Sequence, residues 1–349
     1  MIAARAALGE GNTPLVPSHR IGPERSARNL LFKLESCNPS GSYKDRFIAA
    51  EVGRLLARGA RVCVATSSGN TGSSLAAYCA RYSIRCLVLV NEDAPSGKLE
   101  QMQAHGAQVI RIPEFASDPL VTDCVFRGLL AFSEKRDVPL IISAFRYCPI
   151  GMSAVEEISR ELLRQLDGHP IDDVFVPVGG GGLFSAVVQG FRASGRPMPK
   201  VHAVQPAGCA TVVASFLRGD SEIRPIRSST RISGLSVPSD IDSGLALKLL
   251  RACGGTGIAV EDEQVFEAQR LLMTREGIYC EPGGAAALAG WLQALERGTL
   301  APSGTSVCLV TGHGFKDPAS VQAAAQRHPS VEALPSGLDA CLSGFLENC

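Results

Sequence analysis

The chain has no surplus of either charge. Its 349 residues carry 34 Lys and Arg against 34 Asp and Glu, and the basic residues are scattered rather than blocked. That removes the electrostatic footprint of a nucleic-acid binder or of a protein drawn to anionic membranes. No apolar run approaches the roughly 20 residues that a membrane-spanning helix requires. The opening, MIAARAALGE, holds no uninterrupted apolar stretch, so a secretory signal is not expected. CxxC pairs are also missing. Twelve cysteines are present, but the closest neighbours, Cys79 with Cys86 and Cys341 with Cys349, stand too far apart for that chemistry. Cys63, Cys86 and Cys308 lie inside apolar strand-like runs, where a thiol behaves as a small hydrophobe. A disulfide scaffold is therefore excluded, a reducing cytoplasm is the expected setting, and no metal site is read. There is no internal repeat and no low-complexity segment.

What is present is a regular alternation. Apolar strand-like runs at 61–66, 85–90, 108–112 and 140–143 are separated by helical patterns at 70–82, 96–105 and 120–135. The order resumes with a long helix over 153–166, a strand at 173–178, a helix at 183–194 and a strand at 200–205. Helices near 262–276 and 284–297 and a last strand at 306–310 follow. Such βαβα order implies mostly parallel sheet covered on both faces. The length suits two domains or one large α/β unit. The Pro- and Ser-rich stretch 219–240 reads as an irregular loop, and periodicity weakens after about 325.

Four short stretches carry chemistry. Lys44 closes the loop-forming run Asn38-Pro39-Ser40-Gly41-Ser42-Tyr43 and stands at the start of a helix expected over 45–58. Alone it reads as a surface lysine. At a helix N-terminus, however, the dipole disfavours the ammonium and partial burial does the same. Both favour the neutral amine needed for imine formation with a carbonyl cofactor such as pyridoxal 5′-phosphate (PLP). Ser67-Ser68-Gly69-Asn70-Thr71-Gly72 joins a strand to a helix, and as a bare motif is an ordinary capped turn. Its N–H groups, with the hydroxyls of Ser67, Ser68 and Thr71, also make an anion cradle suited to an amino-acid carboxylate. Asn70 can hydrogen-bond the phenolate oxygen of PLP.

Gly179-Gly180-Gly181-Gly182 lies between a strand and a helix, where a phosphate can approach the backbone closely. No Gly-Lys-Ser/Thr follows, and the next strand ends in Gln205-Pro206 rather than an acid, so neither nucleotide fingerprint is met. Thr311 ends the last strand, at the edge where α/β ligands gather. A threonine hydroxyl there meets a pyridine nitrogen without protonating it, which suits elimination and replacement better than transamination. His313 reads as structural or as an acid. The run 281–286, which begins with Glu281, reads as close backbone packing behind the cofactor. Glu261 to Glu263 reads as a solvated helix start.

These residues resemble the tryptophan-synthase-β-like superfamily, the fold type II PLP enzymes, and within it the threonine synthases. Gly9-Glu10-Gly11-Asn12-Thr13-Pro14-Leu15 is similar to that family's opening. Phe32-Lys33-Leu34-Glu35 followed by Asn38 to Arg46 is similar to its lysine segment, with Tyr43 where Phe is usual. TGHGFKDP from Thr311 is similar to its C-terminal signature. The resemblance spans about residues 9–320.

It implies two open, mostly parallel α/β domains with PLP in the cleft between them. The large domain would comprise 1–50 and 146–325, the small mobile substrate-binding domain 51–145, and 326–349 would be a tail. It also implies that Lys44 forms the cofactor imine and acts as acid and base, and that Asn70 contacts the 3′-oxygen. Ser67, Ser68 and Thr71 would hold the substrate carboxylate, Gly179, Gly180, Gly181 and Gly182 the phosphate, and Thr311 would face the ring nitrogen. The phosphate loop departs from the synthase pattern and reads GGGGL, as in serine/threonine dehydratases and serine racemases. In 143–153 the family's Gln-Lys pair is absent, and Arg146 stands as the equivalent substrate-binding arginine. The expected activity is a PLP-dependent carbon–oxygen lyase of threonine-synthase type, producing threonine and phosphate from O-phosphohomoserine. The rivals are β-replacement on an activated serine, as in cysteine or cysteate synthases, and serine/threonine dehydration. A catalytically silent PLP-binding protein is disfavoured by the retained Lys44. The expected assembly is a homodimer.

Overall fold

The N-terminal segment is drawn into the sheet that the C-terminal half completes. β1 (Leu15–Pro17) runs antiparallel to β2 (Leu30–Lys33), and β2 lies parallel to the last strand of the chain. In this computed structural model the described residues are 6–343, except 28, 68, 302, 329, 331, 333, 340 and 341. The reading of Ser68, and part of the tail 326–349, therefore lie outside the described residues.

After α1 (Lys44–Ala57) come β3 (Val62–Ser67), α2 (Asn70–Arg81), β4 (Arg85–Asn91), α3 (Ser96–Ala104), β5 (Gln108–Ile112), α4 (Pro119–Arg136) and β6 (Leu140–Ile141). Then follow α5 (Pro149–Val155), α6 (Glu157–Gln165), β7 (Asp173–Pro177), α7 (Gly182–Ala193), β8 (Lys200–Pro206), α8 (Thr211–Arg218), α9 (Ser243–Ala252), β9 (Gly257–Val260), α10 (Asp262–Glu276), α11 (Pro282–Glu296), β10 (Ser306–Leu309) and α12 (Pro318–Ala325). One sheet has the order β5-β4-β3-β6, all parallel. The other has the order β1-β2-β10-β7-β8-β9, parallel except at β1. The expected mostly parallel α/β architecture is thus present as two sheets.

Both sheets are buried by helices. On the six-stranded sheet α7 brings Phe184, Val187, Val188 and Phe191 to one core and α11 brings Trp291 and a run of buried alanines to another, while α2, α3 and α4 pack on the four-stranded sheet. Cys63, Cys86 and Cys308 are buried in apolar cores, as their strand-like surroundings indicated.

The helix expected over 153–166 is instead two helices. Pro149 starts α5 one turn earlier, at a position where its missing N–H costs nothing. At Glu156 the bonding tightens to i→i+3, with Glu156 N donating to Ser153 O at 3.2 Å and Ser159 N to Glu156 O at 3.1 Å. Gly190 of α7 is packed against that carbonyl so closely that a Cβ would come within 2.5 Å of it.

A buried ion cluster holds α1 in place. Arg46 donates to Glu35 through Nε at 2.8 Å and to Glu161 through Nη1 at 2.7 Å. Lys33 Nζ reaches Glu161 at 2.7 Å, and Thr13 Oγ1 donates to Glu35 at 2.7 Å. Two cations face two carboxylates, so the cluster is neutral, which is what permits its burial.

Candidate active site

The carboxyl ends of β2, β3, β7 and β10 open on one cavity. Its wall includes Lys44, Asn70, Thr71, Gly179, Gly180, Gly181, Gly182 and Thr311. The folding reason is topological. Each of these residues follows a parallel strand, and strands that run in one direction deliver their loops to one edge.

Lys44 is the first residue of α1 and is half-buried. Its Nζ donates to Ser143 Oγ at 2.7 Å and lies 4.8 Å from the centre of the Tyr43 ring. The loop before it is fastened to the end of β10: Tyr43 N donates to Thr311 O at 3.2 Å, and His313 N to Gly41 O at 2.9 Å. Asp45, next in sequence, accepts from Ser40 N at 2.6 Å and from the Ser40 and Ser74 hydroxyls. Burial pushes its carboxyl above the ordinary value, and those hydrogen bonds oppose the shift. Loop, α1 and α2 are therefore tied together beside the lysine.

The glycine run forms the turn between β7 and α7. Gly181 holds φ at +95°, and a Cβ there would stand 2.7 Å from Asp242 O; a Cβ at Gly179 would stand 2.7 Å from Gly234 O. Side chains would close the turn. Without them the backbone of 179–182 lies open to the cavity, and the first turn of α7 has N–H groups with no intrahelical acceptor. Such a cradle fits a phosphate dianion. Asn70 adds a second mark of an incoming group: its Oδ1 is buried without a partner. The residues present thus fit PLP, offering an open backbone turn for a phosphate and an unpartnered buried amide oxygen for a ring substituent. Thr311 is buried, and its hydroxyl donates to Gly283 O at 3.3 Å.

Thr71 lines the cavity in the first turn of α2. Ser67 ends β3, and Ser68 is not among the described residues. Arg146 is not brought in. Its side chain is exposed, its guanidinium lies 5.7 Å from the Tyr147 ring centre, and only its N–H is engaged, donating to Asp242 Oδ1 at 3.1 Å. His313 is an N-cap, accepting from Phe315 N at 3.3 Å outside the cavity wall. Glu261 caps α10 through a reciprocal pair with Gln264.

Several cavity residues escaped the sequence. Ser143 holds the lysine amine. Ser233 to Pro238, within the stretch read only as irregular loop, close one side. Asp242, next to the wall residue Ile241 but not itself in the wall, accepts from Phe145 N at 2.6 Å, and burial raises its carboxyl while the N–H groups of 145 and 146 oppose this. Glu281, read as packing, lines the cavity with its carboxylate bonded to Asn70 Nδ2 and to Lys98. Ser143 and Glu281 both fall in segments already quoted for other reasons; the loop offered no signal beyond its composition.

Comparisons with known proteins agree with this geometry. Threonine synthase of Methanocaldococcus jannaschii is 32% identical over 332 residues, covering 93% of this chain and 80% of that protein. Threonine synthase of Mycobacterium leprae is 33% identical over 334 residues, covering 94% and 87%. Among solved structures, the threonine deaminase of T.th. superposes with a TM-score of 0.73 at 27% identity, over 88% of this chain and 94% of that one. The family described as "Pyridoxal-phosphate dependent enzyme" matches residues 6–312. That span runs from before the lysine loop to just past the end of the last strand and takes in the whole cavity: the chain belongs to the pyridoxal-phosphate-dependent enzyme family.

Proposed function

We propose that this protein is a threonine synthase, converting O-phosphohomoserine and water to threonine and phosphate in amino-acid biosynthesis. The observation that carries the reading is the meeting of Lys44, Asn70, Thr71, the four glycines and Thr311 in one cavity wall, in a chain about one-third identical to threonine synthases. PLP, when bound, supplies the electron sink that lowers the cost of a carbanion at the substrate α-carbon. The chain supplies the rest. Lys44 Nζ takes and returns the α-proton, and Ser143 Oγ, 2.7 Å away, orients that amine. Thr71 and the N-terminus of α2, with Ser67 and Ser68, bind the substrate carboxylate. Residues 179–182 would hold the cofactor phosphate, and Thr311 would face the ring nitrogen. Phe115, Phe126 and Ile142 line the cavity and keep water from the reacting centre.

In this reading 51–145 is a small mobile substrate-binding domain facing a large domain of 1–50 and 146–325. Arg146 would turn inward to meet the substrate phosphate. The protein would work as a cytoplasmic homodimer. No helix among the described residues is long and apolar enough to cross a membrane.

One observation favours a second reading, serine or threonine dehydration. Among the described residues lining the cavity Lys44 is the sole cation, and the wall near it is built from Phe115, Ala116, Phe126 and Ile142. An uncharged hydroxyl leaves such a site more readily than a dianionic phosphate finds a partner in it. The experiment is to incubate the PLP-loaded enzyme in turn with O-phosphohomoserine, O-phosphoserine, O-acetylserine and threonine. Threonine and phosphate from phosphohomoserine support the synthase. Keto acid and ammonia from threonine alone replace it with the dehydratase, and turnover of serine derivatives alone replaces it with β-replacement. Lys44→Ala should lower any of these rates by at least about 10²–10⁴-fold; full turnover by that variant would defeat every version.

A further inference from the structure

A buried ion pair spans the gap between the two sheets, with Glu281 in the cavity wall and Lys98 buried away from it. Lys98, on α3, is 0% exposed. Its Nζ lies 2.9 Å from Glu281 Oε2 and donates to Ser233 Oγ at 3.2 Å. Glu281 stands just before α11, beside the other sheet, and is 2% exposed. Its remaining oxygen, Oε1, accepts from Asn70 Nδ2.

The surrounding backbone is shaped to admit both side chains. At Gly69, where φ is +133°, a Cβ would come within 2.2 Å of Lys98 Cδ, so the lysine passes directly beneath the 67–72 turn. At Gly312 a Cβ would come within 2.0 Å of Glu281 Oε1. Two glycines in two separate signature stretches therefore make room for one ion pair.

We propose that Lys98 and Glu281 are positioning residues for the cofactor ring, acting through Asn70. An ionised carboxylate only accepts hydrogen bonds, so Glu281 fixes which end of the Asn70 amide faces it. The nitrogen is turned to Glu281, and the orphaned Oδ1 and the second N–H are left for the group that enters the cavity. Lys98 cancels the charge of Glu281, so that Asn70 is held without an unbalanced anion beside the ring. A buried ion pair is seldom retained for stability, because desolvation offsets its attraction; here the gain is a defined amide orientation and a defined local potential.

This inference rests on the PLP reading of the cavity, and its test has an optical readout. The visible absorption band of the PLP-loaded protein is titrated with pH in wild type, Lys98→Met, Glu281→Gln and the double variant. Lys98→Met leaves an uncompensated carboxylate, which favours the protonated chromophore and raises the midpoint by about one pH unit or more. Glu281→Gln leaves an uncompensated ammonium and moves it the other way. The double variant carries no lone buried charge, and the amide oxygen that Glu281→Gln retains can still accept from Asn70, so its midpoint returns to that of wild type. The other charged groups near the cavity, Lys44 and Asp45 on α1, Asp242 before α9, and His313 and Lys316 after β10, are the same in all four proteins. Single variants that shift in the same direction, or do not shift, overturn the proposal, since lost packing has no sign. If neither single variant folds, a displaced midpoint in the double variant overturns it. A wild-type protein with no visible band would instead sink the cofactor reading itself.

Discussion

Ser143 is the residue on which the reactivity of Lys44 most directly depends. It accepts the amine's hydrogen bond at 2.7 Å and comes from the segment after β6, 99 residues away in the chain. A hydrogen bond to a charged or charging group contributes about 1.5–3 kcal/mol, which corresponds to roughly one to two powers of ten in rate. Ser143→Ala should therefore lower kcat at least about tenfold, with little change in KM, because carboxylate and phosphate contacts are untouched; steady-state kinetics on the preferred substrate measures this. Lys44 was legible from its own neighbours, since a loop-forming run ahead of a helix is a local pattern. Its partner was not. Ser143 stood in plain view, but nothing near it in the chain says that β6 lies beside β3 and so points it at α1. Arg146 is the opposite case: its motif position suggested a substrate contact, but its side chain lies exposed here while its N–H is bonded to Asp242, so the contact would require rotation of the side chain.

Among the elements, the turn between β7 and α7 has the tightest requirements. Gly181→Ala would place an L-residue at φ +95° and a methyl carbon 2.7 Å from Asp242 O and 2.9 Å from Ala246 Cβ. The left-handed conformation alone costs about 1–2 kcal/mol, and relief of the contacts must push 179–182 away from the phosphate position. The expected result is a loss of at least about 1–2 kcal/mol in denaturant unfolding together with weaker PLP retention on dialysis. The neighbouring Gly180, whose Cβ would meet only Val237 and Ile241 side chains at 3.4 and 3.6 Å, should tolerate alanine better. The glycine turn was readable in one dimension because its requirement is local and steric. So were β3, α2, β4, β5, α10 and α11, whose apolar periods are long. The short strands β1, β2 and β9 were not noticed, since three or four residues carry too little alternation to separate strand from loop. The break at Glu156 was invisible for a different reason: it is imposed by α7 packing across it.

At the scale of the whole molecule, the Lys33–Glu161–Arg46–Glu35 cluster ties the N-terminal strands, the lysine helix and α6 into one body. Burial pushes the Glu161 carboxyl up, but the Arg46 guanidinium and the Lys33 ammonium overrule it and hold it at about 2, against an ordinary 4.5. A depressed folded value means that the stabilisation is complete above about 4.5 and disappears as the pH falls toward 2. Thermal melting followed from about pH 5 downward should show that loss. Glu161→Gln should flatten this limb and, by leaving Arg46 and Lys33 underpaired, destabilise by about 3–5 kcal/mol. A variant with wild-type stability and an unchanged acid limb would remove the cluster from this role.

The division between chain and fold follows the range of the forces involved. Turn geometry, helix starts and apolar periodicity depend on neighbours a few residues apart, so the lysine loop, the glycine turn and the alternating α/β order were written in the chain itself. Which charges meet depends on how the strands are ordered in the two sheets. Lys98 finds Glu281, and β10 inserts between β2 and β7, only after long loops have closed and apolar burial has repaid their entropy. Those pairings decide how Asn70 is oriented and what holds the amine of Lys44, and no local pattern of residues encodes them.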